Sequence, residues 1–177
     1  MPFSYPKAYL EYLVYFQGER DLFECHEVME EYWKQEKDPQ WLALIQLSVS
    51  LYHHRQENFR GASRLLEKVI DMVENDRKRY EKLGIRVAPF VKQLYDRQKA
   101  INNLHPYTSF NIPLADATLE EECKKRCMEQ GLSWCAMENA HNRDEYLIYK
   151  HRKRDRSEVV LARQESLLNK RKEREAD

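Results

Sequence analysis

Apolar side chains recur along the first hundred residues at the three-to-four spacing of helices that bury one face. Ser4 and Pro6 open a first helix that the pattern extends from about Pro6 to Phe16, with Gly18 as its stop. A second helix covers residues 21–36, where Asp21 and Glu24 have capping-box spacing. Asp38-Pro39 then caps and starts a third, about 39–56. That segment is apolar almost all round, which places it at the centre of a bundle. A fourth helix is read from about Phe59 to Leu83, with Ala62, Leu65, Leu66, Val69, Ile70 and Val73 in phase and Gly84 as terminator. Gly61, near its start, implies a close backbone approach. A fifth runs from about Ala88 to Asn102. The fold class expected is all-α: an antiparallel bundle of about five helices.

Periodicity fades after that. Two prolines, Pro106 and Pro113, mark residues 106–117 as a connecting loop, so the bundle is assigned residues 1–105. Residues 118–177 form a charged, mainly helical C-terminal extension, with 27 Asp, Glu, Lys and Arg among 60 positions. Thr118 with Glu121 caps its first helix, Gly131 ends it, and Ser133 starts a short second one. Ser157 begins a last helix, and residues 142–156 have no decisive pattern.

Thirty Lys and Arg balance thirty Asp and Glu, so no chain-wide basic surface exists for nucleic acid or anionic membrane. No apolar run approaches the roughly 18 residues that span a bilayer. The N-terminus lacks the basic-then-apolar order of a secretion signal. Four cysteines in 177 residues do not make a disulfide framework, and the compartment expected is a reducing cytoplasm.

The candidate chemistry lies in the second helix. Leu22, Met29 and Trp33 form its apolar stripe; His26 falls inside the stripe and Glu30 on its shoulder. A tight turn at Lys37 and Asp38 makes the second and third helices antiparallel neighbours. Equal steps from the turn put Glu30 near Gln46 and His26 near Ser50, with His53 one turn further and Glu27 at the edge. The expected cluster is therefore His26, Glu27, Glu30, Gln46, Ser50 and His53, shielded from water. As a metal site it would use His26, Glu30 and His53 for a divalent ion. The order His-x-x-x-Glu departs from the Glu-x-x-His of carboxylate-bridged bundles. His26-Glu27 begins like a zinc-protease motif, but Glu30 stands where its second histidine would be. A His–Glu pair also suits acid–base work, although no activated nucleophile accompanies it. Equally, the cluster could be a hydrogen-bonded brace that fixes helix register.

These residues carry a resemblance. Gly18, Phe23-Glu24-Cys25-His26-Glu27 with Glu30 and Trp33, then Leu44-Ile45-Gln46, His53, and Asn58 with Gly61-Ala62 resemble the domain of unknown function 309 family, small helical proteins of bacteria and archaea. Its pattern reads Phe-Glu-x-His-Glu-x-x-Glu-x-x-Trp, then a Gln-containing helix and a Gly-Ala helix start. The resemblance covers about residues 5–75 and implies an all-helical fold with no established activity. The segment from 118 resembles an extension of the longer Bacillus-type members.

Three further features qualify the picture. Cys123 and Cys127 share a helical face, with Cys135 and His141 following; the set could hold zinc, though small buried hydrophobes explain it as well. The basic run Lys150 to Arg156 reads as a solvated turn. Tyr5, Tyr9 and Tyr12 share a face of the first helix, expected to pack with hydroxyls toward water. Two functional readings follow. The first is an interaction or scaffolding protein with a structural polar cluster, meeting a protein partner or a second copy through the C-terminal extension. The second is a metal- or small-ligand-binding protein, or a hydrolytic or other enzyme, built on the same cluster.

Overall fold

The structure, a computed structural model, describes residues 4–137. Expectations for His141, residues 142–156 and the helix from Ser157 lie outside the described residues, as does any association through that segment. Among the described residues the fold is all-α: seven α-helices, one π-helical turn and no strand.

Helix α1 (Lys7–Leu13) runs into a π-helical turn, Val14–Glu19, and Arg20 in the left-handed region ends it. Gly18 is thus no terminator. It lies inside the widened turn, where a Cβ would meet Cys127 Sγ at 2.6 Å. The glycine supplies room for a close packing contact rather than a stop.

Helix α2 (Leu22–Glu36) starts where the Asp21 side chain accepts from Glu24 N at 3.0 Å. That bond satisfies one orphan donor of the first turn. Lys37, left-handed, turns the chain into α3 (Pro39–Arg55). Eleven residues of α3, from Trp41 to Arg55, are buried, in keeping with its all-round apolar sequence. Helices α2 and α4 both pack against it.

The expected long fourth helix is two. Helix α4 (Phe59–Asn75) buries Ala62, Leu66, Val69, Ile70 and Val73 on one stripe, each large side chain worth about 1.5–3 kcal/mol. Asp76, extended at φ −152°, then interrupts it and its carboxylate caps the short α5 (Arg77–Glu81). An Asp that bonds to nearby backbone competes with helix continuation. Gly61 is close to the Asn58 side chain, which a Cβ would meet at 2.8 Å.

Helix α6 (Val87–Asn102) packs on α4, and α7 (Ala117–Glu129) closes over α1 and the π turn. Asp116, rather than Thr118, caps α7, accepting from the amides of Thr118 and Leu119. Residues 132–137 form turns and irregular chain, with no helix at Ser133. The segment between α6 and α7 is docked, not loose: Tyr107, Phe110 and Ile112 are buried, and Ile85 bridges Leu114.

The tyrosine expectation is also corrected. Tyr9 and Tyr12 are fully buried and donate to the carbonyls of Leu83 and Leu44, both at 2.7 Å. Each hydroxyl finds an interior acceptor, so none needs water. Tyr5 is partly buried and donates to Asp116 at 2.7 Å, tying the N-terminal segment to the start of α7.

Candidate functional site

Leu22, Cys25 and Met29 turn the core face of α2 inward and are 0–1% exposed. His26 follows one residue after Cys25, so its ring leaves the core at an angle and emerges on the flank. Glu27 and Glu30 come from the same flank. His26 Nε2 lies 2.9 Å from Glu30 Oε2, and Nδ1 lies 3.6 Å from Glu27 Oε1. One ligand atom from each residue falls within 4.8 Å of the other two. The imidazole is 23% exposed and the carboxylates 38–39%, so the cluster is half-open rather than shielded. The first residue on a flank cannot be sealed when its neighbours are glutamates whose heads seek water. Lys34 Nζ stands 3.9 Å from the other oxygen of Glu30.

Of the other three residues assigned to the cluster, Ser50 and His53 bond to partners outside it. Ser50 is buried and donates to the carbonyl of Ala62 at 2.7 Å, joining α3 to α4. Gln46 has a buried Oε1 with no hydrogen-bond partner among the described residues. His53 meets the α3–α4 turn. Asn58 Oδ1 accepts from Gly61 N at 3.1 Å, which leaves its amide nitrogen to donate to His53 Nδ1 at 3.2 Å. This arrangement requires a lone pair at Nδ1, and burial lowers the pKa of His53 in the same sense.

The two histidines are instead the ends of an aromatic row. Ring centroids run His26–Phe23 at 5.9 Å, Phe23–Tyr52 at 6.0 Å and Tyr52–His53 at 6.3 Å. Two intervening rings separate the imidazoles, so the triad that could hold a cation is His26, Glu27 and Glu30, without His53. A nitrogen with two carboxylate oxygens suits a borderline-to-hard divalent ion such as manganese, iron or nickel.

The sequence reading missed a second polar group. Arg20, Arg55 and Arg97 are 4%, 2% and 9% exposed. Arg20 donates to the carbonyls of Phe110 and Ala136 and to Asn111 Oδ1. Arg97 donates to the Thr108 carbonyl at 2.7 Å and lies over the rings of Tyr107 and Phe110. Arg55 donates to the Arg20 carbonyl at 2.9 Å. His54 bonds to the carbonyl of His105 at 2.9 Å. Together they pin residues 105–111 to the bundle. The signal was legible: Arg97 shares the stripe of Phe90, Leu94 and Ile101, where a cation needs an interior reason.

The chain belongs to the family described as Domain of unknown function (DUF309), whose pattern matches residues 9–65. That span holds most of α1, the π turn, α2 with its triad, α3 and the start of α4. Across nearly its whole length the chain is similar to a Bacillus subtilis (strain 168) protein named "Uncharacterized protein YpuF". The two are 37% identical over 178 residues, covering 97% of this chain and 99% of the relative. No solved structure matches the chain.

Proposed function

We propose that this helical protein binds a divalent cation through His26, Glu27 and Glu30. The observation that carries the reading is the convergence of one imidazole and two carboxylates within 4.8 Å on a half-open flank of α2. A register-fixing brace would link two helices. The ion pairs among these three side chains are contacts within one helix. Their ion pairing alone contributes little, about 0.2–1 kcal/mol for exposed pairs. The same geometry leaves access for an ion and for solvent or ligand in the remaining positions, as an open metal site requires. Neighbouring Phe23 gives the site one apolar wall. No reaction is assigned to it.

The test is thermal stability with and without Mn(II) on tag-free protein. A cation that binds only the folded state raises Tm with concentration. Wild type is expected to gain Tm, and His26→Ala and Glu30→Gln to lose the gain while staying folded. An equal gain in all three proteins overturns the assignment.

A second reading, an interaction or scaffolding role, draws on the exposure of Tyr95, Leu104, Met128 and Met137, 50–77% each. A reducing cytoplasm is the compartment both readings assume, in keeping with four free thiols. No helix among the described residues is long and apolar enough to cross a membrane.

A further inference from the structure

Between α6 and the docked segment that precedes α7 lies a cleft of about 380 Å³. Gln93, Asp96 and Arg97 line it from the helix, and Thr108, Ser109 and Asn111 from the segment. That volume suits a small molecule. Arg97 is 9% exposed, and among the described residues no carboxylate comes within 4.0 Å of its guanidinium. Its terminal nitrogens reach only neutral acceptors. These are the Thr108 carbonyl at 2.7 Å, Thr108 Oγ1 at 3.2 Å, His54 Nδ1 at 3.4 Å and the Ser109 carbonyl at 3.5 Å. The Nε–H has no acceptor among the described residues. A buried charge without a counter-charge is costly. Burial lowers the Arg97 pKa in keeping with that cost, and no carboxylate offsets it. Gln93, one turn earlier, is a second anomaly. Its side-chain amide makes no hydrogen bond among the described residues, although its Oε1 is buried. Asn111 has a spare donor: Oδ1 is taken by Arg20 at 2.6 Å, and the amide nitrogen meets only Met137 Sδ, a weak acceptor at 3.9 Å. Asp96 carries the one negative charge of the lining and is engaged only by Lys92, in an exposed pair at 3.1 Å.

We propose that this cleft binds a free α-amino acid with an apolar side chain, at a site independent of the His26 triad. The ligand carboxylate takes the Arg97 Nε–H and the Asn111 amide nitrogen, and supplies the counter-charge that the buried guanidinium lacks. The ligand ammonium turns toward Asp96 and the Gln93 amide oxygen, two acceptors without a buried donor of their own. Asp96 and Arg97 are consecutive, so their side chains leave α6 about 100° apart and bracket the cleft with opposite charges. A simple anion would meet Asp96 as a like charge, and a simple amine would meet Arg97 in the same way. A zwitterion satisfies both ends and leaves the net charge of the cleft unchanged. Ala100, Phe110 and Met137 line the same space and give the ligand side chain apolar surface. No residue of the triad on α2 lines this cleft, so cation binding and amino-acid binding are separable.

Isothermal titration calorimetry of the full, tag-free chain with L-leucine, L-methionine and L-phenylalanine tests this. Wild type is expected to bind at least one of them saturably, at one equivalent. The matching analogue without the amino group, and the one without the carboxylate, should each bind about 10-fold or more weakly, because each leaves one end of the cleft unpaired. Asp96→Asn, on the exposed side of α6, should weaken the amino acid by a similar factor and leave the analogue without the amino group unchanged. Arg97→Lys, which keeps the charge but loses the Nε–H, should also weaken it, with helical circular dichroism as in wild type. His26→Ala should bind like wild type. Folded wild type that takes up none of the three amino acids at their solubility limits overturns the proposal. So does equal affinity for the amino acid and its analogue without the amino group, or an Asp96→Asn protein with wild-type affinity.

Discussion

Gly18→Ala adds one carbon at a position where the structure leaves no space for it. The new Cβ would lie 2.6 Å from Cys127 Sγ. Non-bonded carbon contacts are comfortable at about 3.5–4.0 Å, so roughly 1 Å of separation must be found. Cys127 is 1% exposed on a packed helix and has little freedom to move aside. Overpacking of this kind costs about 1–3 kcal/mol. The exchange also returns about 1 kcal/mol, because alanine is the better helix former. With the middle of the overpacking range, about 2 kcal/mol, as the cost, the expected net loss is about 1 kcal/mol. In urea, with m of about 2 kcal/mol/M, the midpoint should fall by about 0.5 M at unchanged m. The clash is with one named atom, so removing that atom should relieve it. In a double-mutant cycle, Gly18→Ala should be nearly harmless in a Cys127→Ala background, a coupling of about 1 kcal/mol or more. A Gly18→Ala protein as stable as wild type, or strict additivity in the cycle, refutes the packing account of the π turn.

Arg97→Met should destabilise by about 1–3 kcal/mol, because the Thr108 carbonyl loses a charged donor; protease cleavage within residues 105–111 should accelerate, and an unchanged cleavage rate contradicts the pinning. For His53, burial lowers the folded pKa, so the unfolded chain binds the proton more readily. Stability is then full above the unfolded value of about 6.5 and declines as pH falls toward the folded pKa. His53→Gln should flatten that part of the stability–pH curve, and an unaltered slope would remove the argument. Asp116 has its pKa lowered, chiefly by the Tyr5 hydroxyl and then by backbone donors of α7. Its contribution is therefore present above about 3.9 and lost as pH falls through the folded value. Tyr5→Phe should reduce the acid sensitivity between those values; identical acid titrations would count against the tether.

The helices were legible because burial imposes a period on sequence, and α2, α3 and α6 begin or end within a residue or two of where that period placed them. The break at Asp76 was not, since apolar phase continues across it through Tyr80 and Leu83 while a single side-chain cap ends the helix. Gly18 and Gly61 look alike in sequence, yet one relieves a contact from α7, more than a hundred residues away, and the other a contact from its own cap. At the site, helical spacing correctly joined His26 to Glu30, a contact within one helix. It could not place His53 or Ser50, because their partners are Asn58, the cap of α4, and Ala62 within α4. Arg97 betrayed its burial by sharing an apolar stripe, but what the buried arginines hold was hidden, because their acceptors are mostly backbone carbonyls, which leave no mark in sequence.

Direct binding of Mn(II), followed by the loss of its free-ion electron paramagnetic resonance signal, tests the central claim most simply, since thiols compete poorly for this ion. One saturable equivalent in tag-free wild type, lost in His26→Ala and in Glu27→Gln/Glu30→Gln but kept in Cys135→Ser, is the result expected of a cation site on α2. A free-ion signal that tracks added Mn(II) identically in wild type and His26→Ala contradicts it.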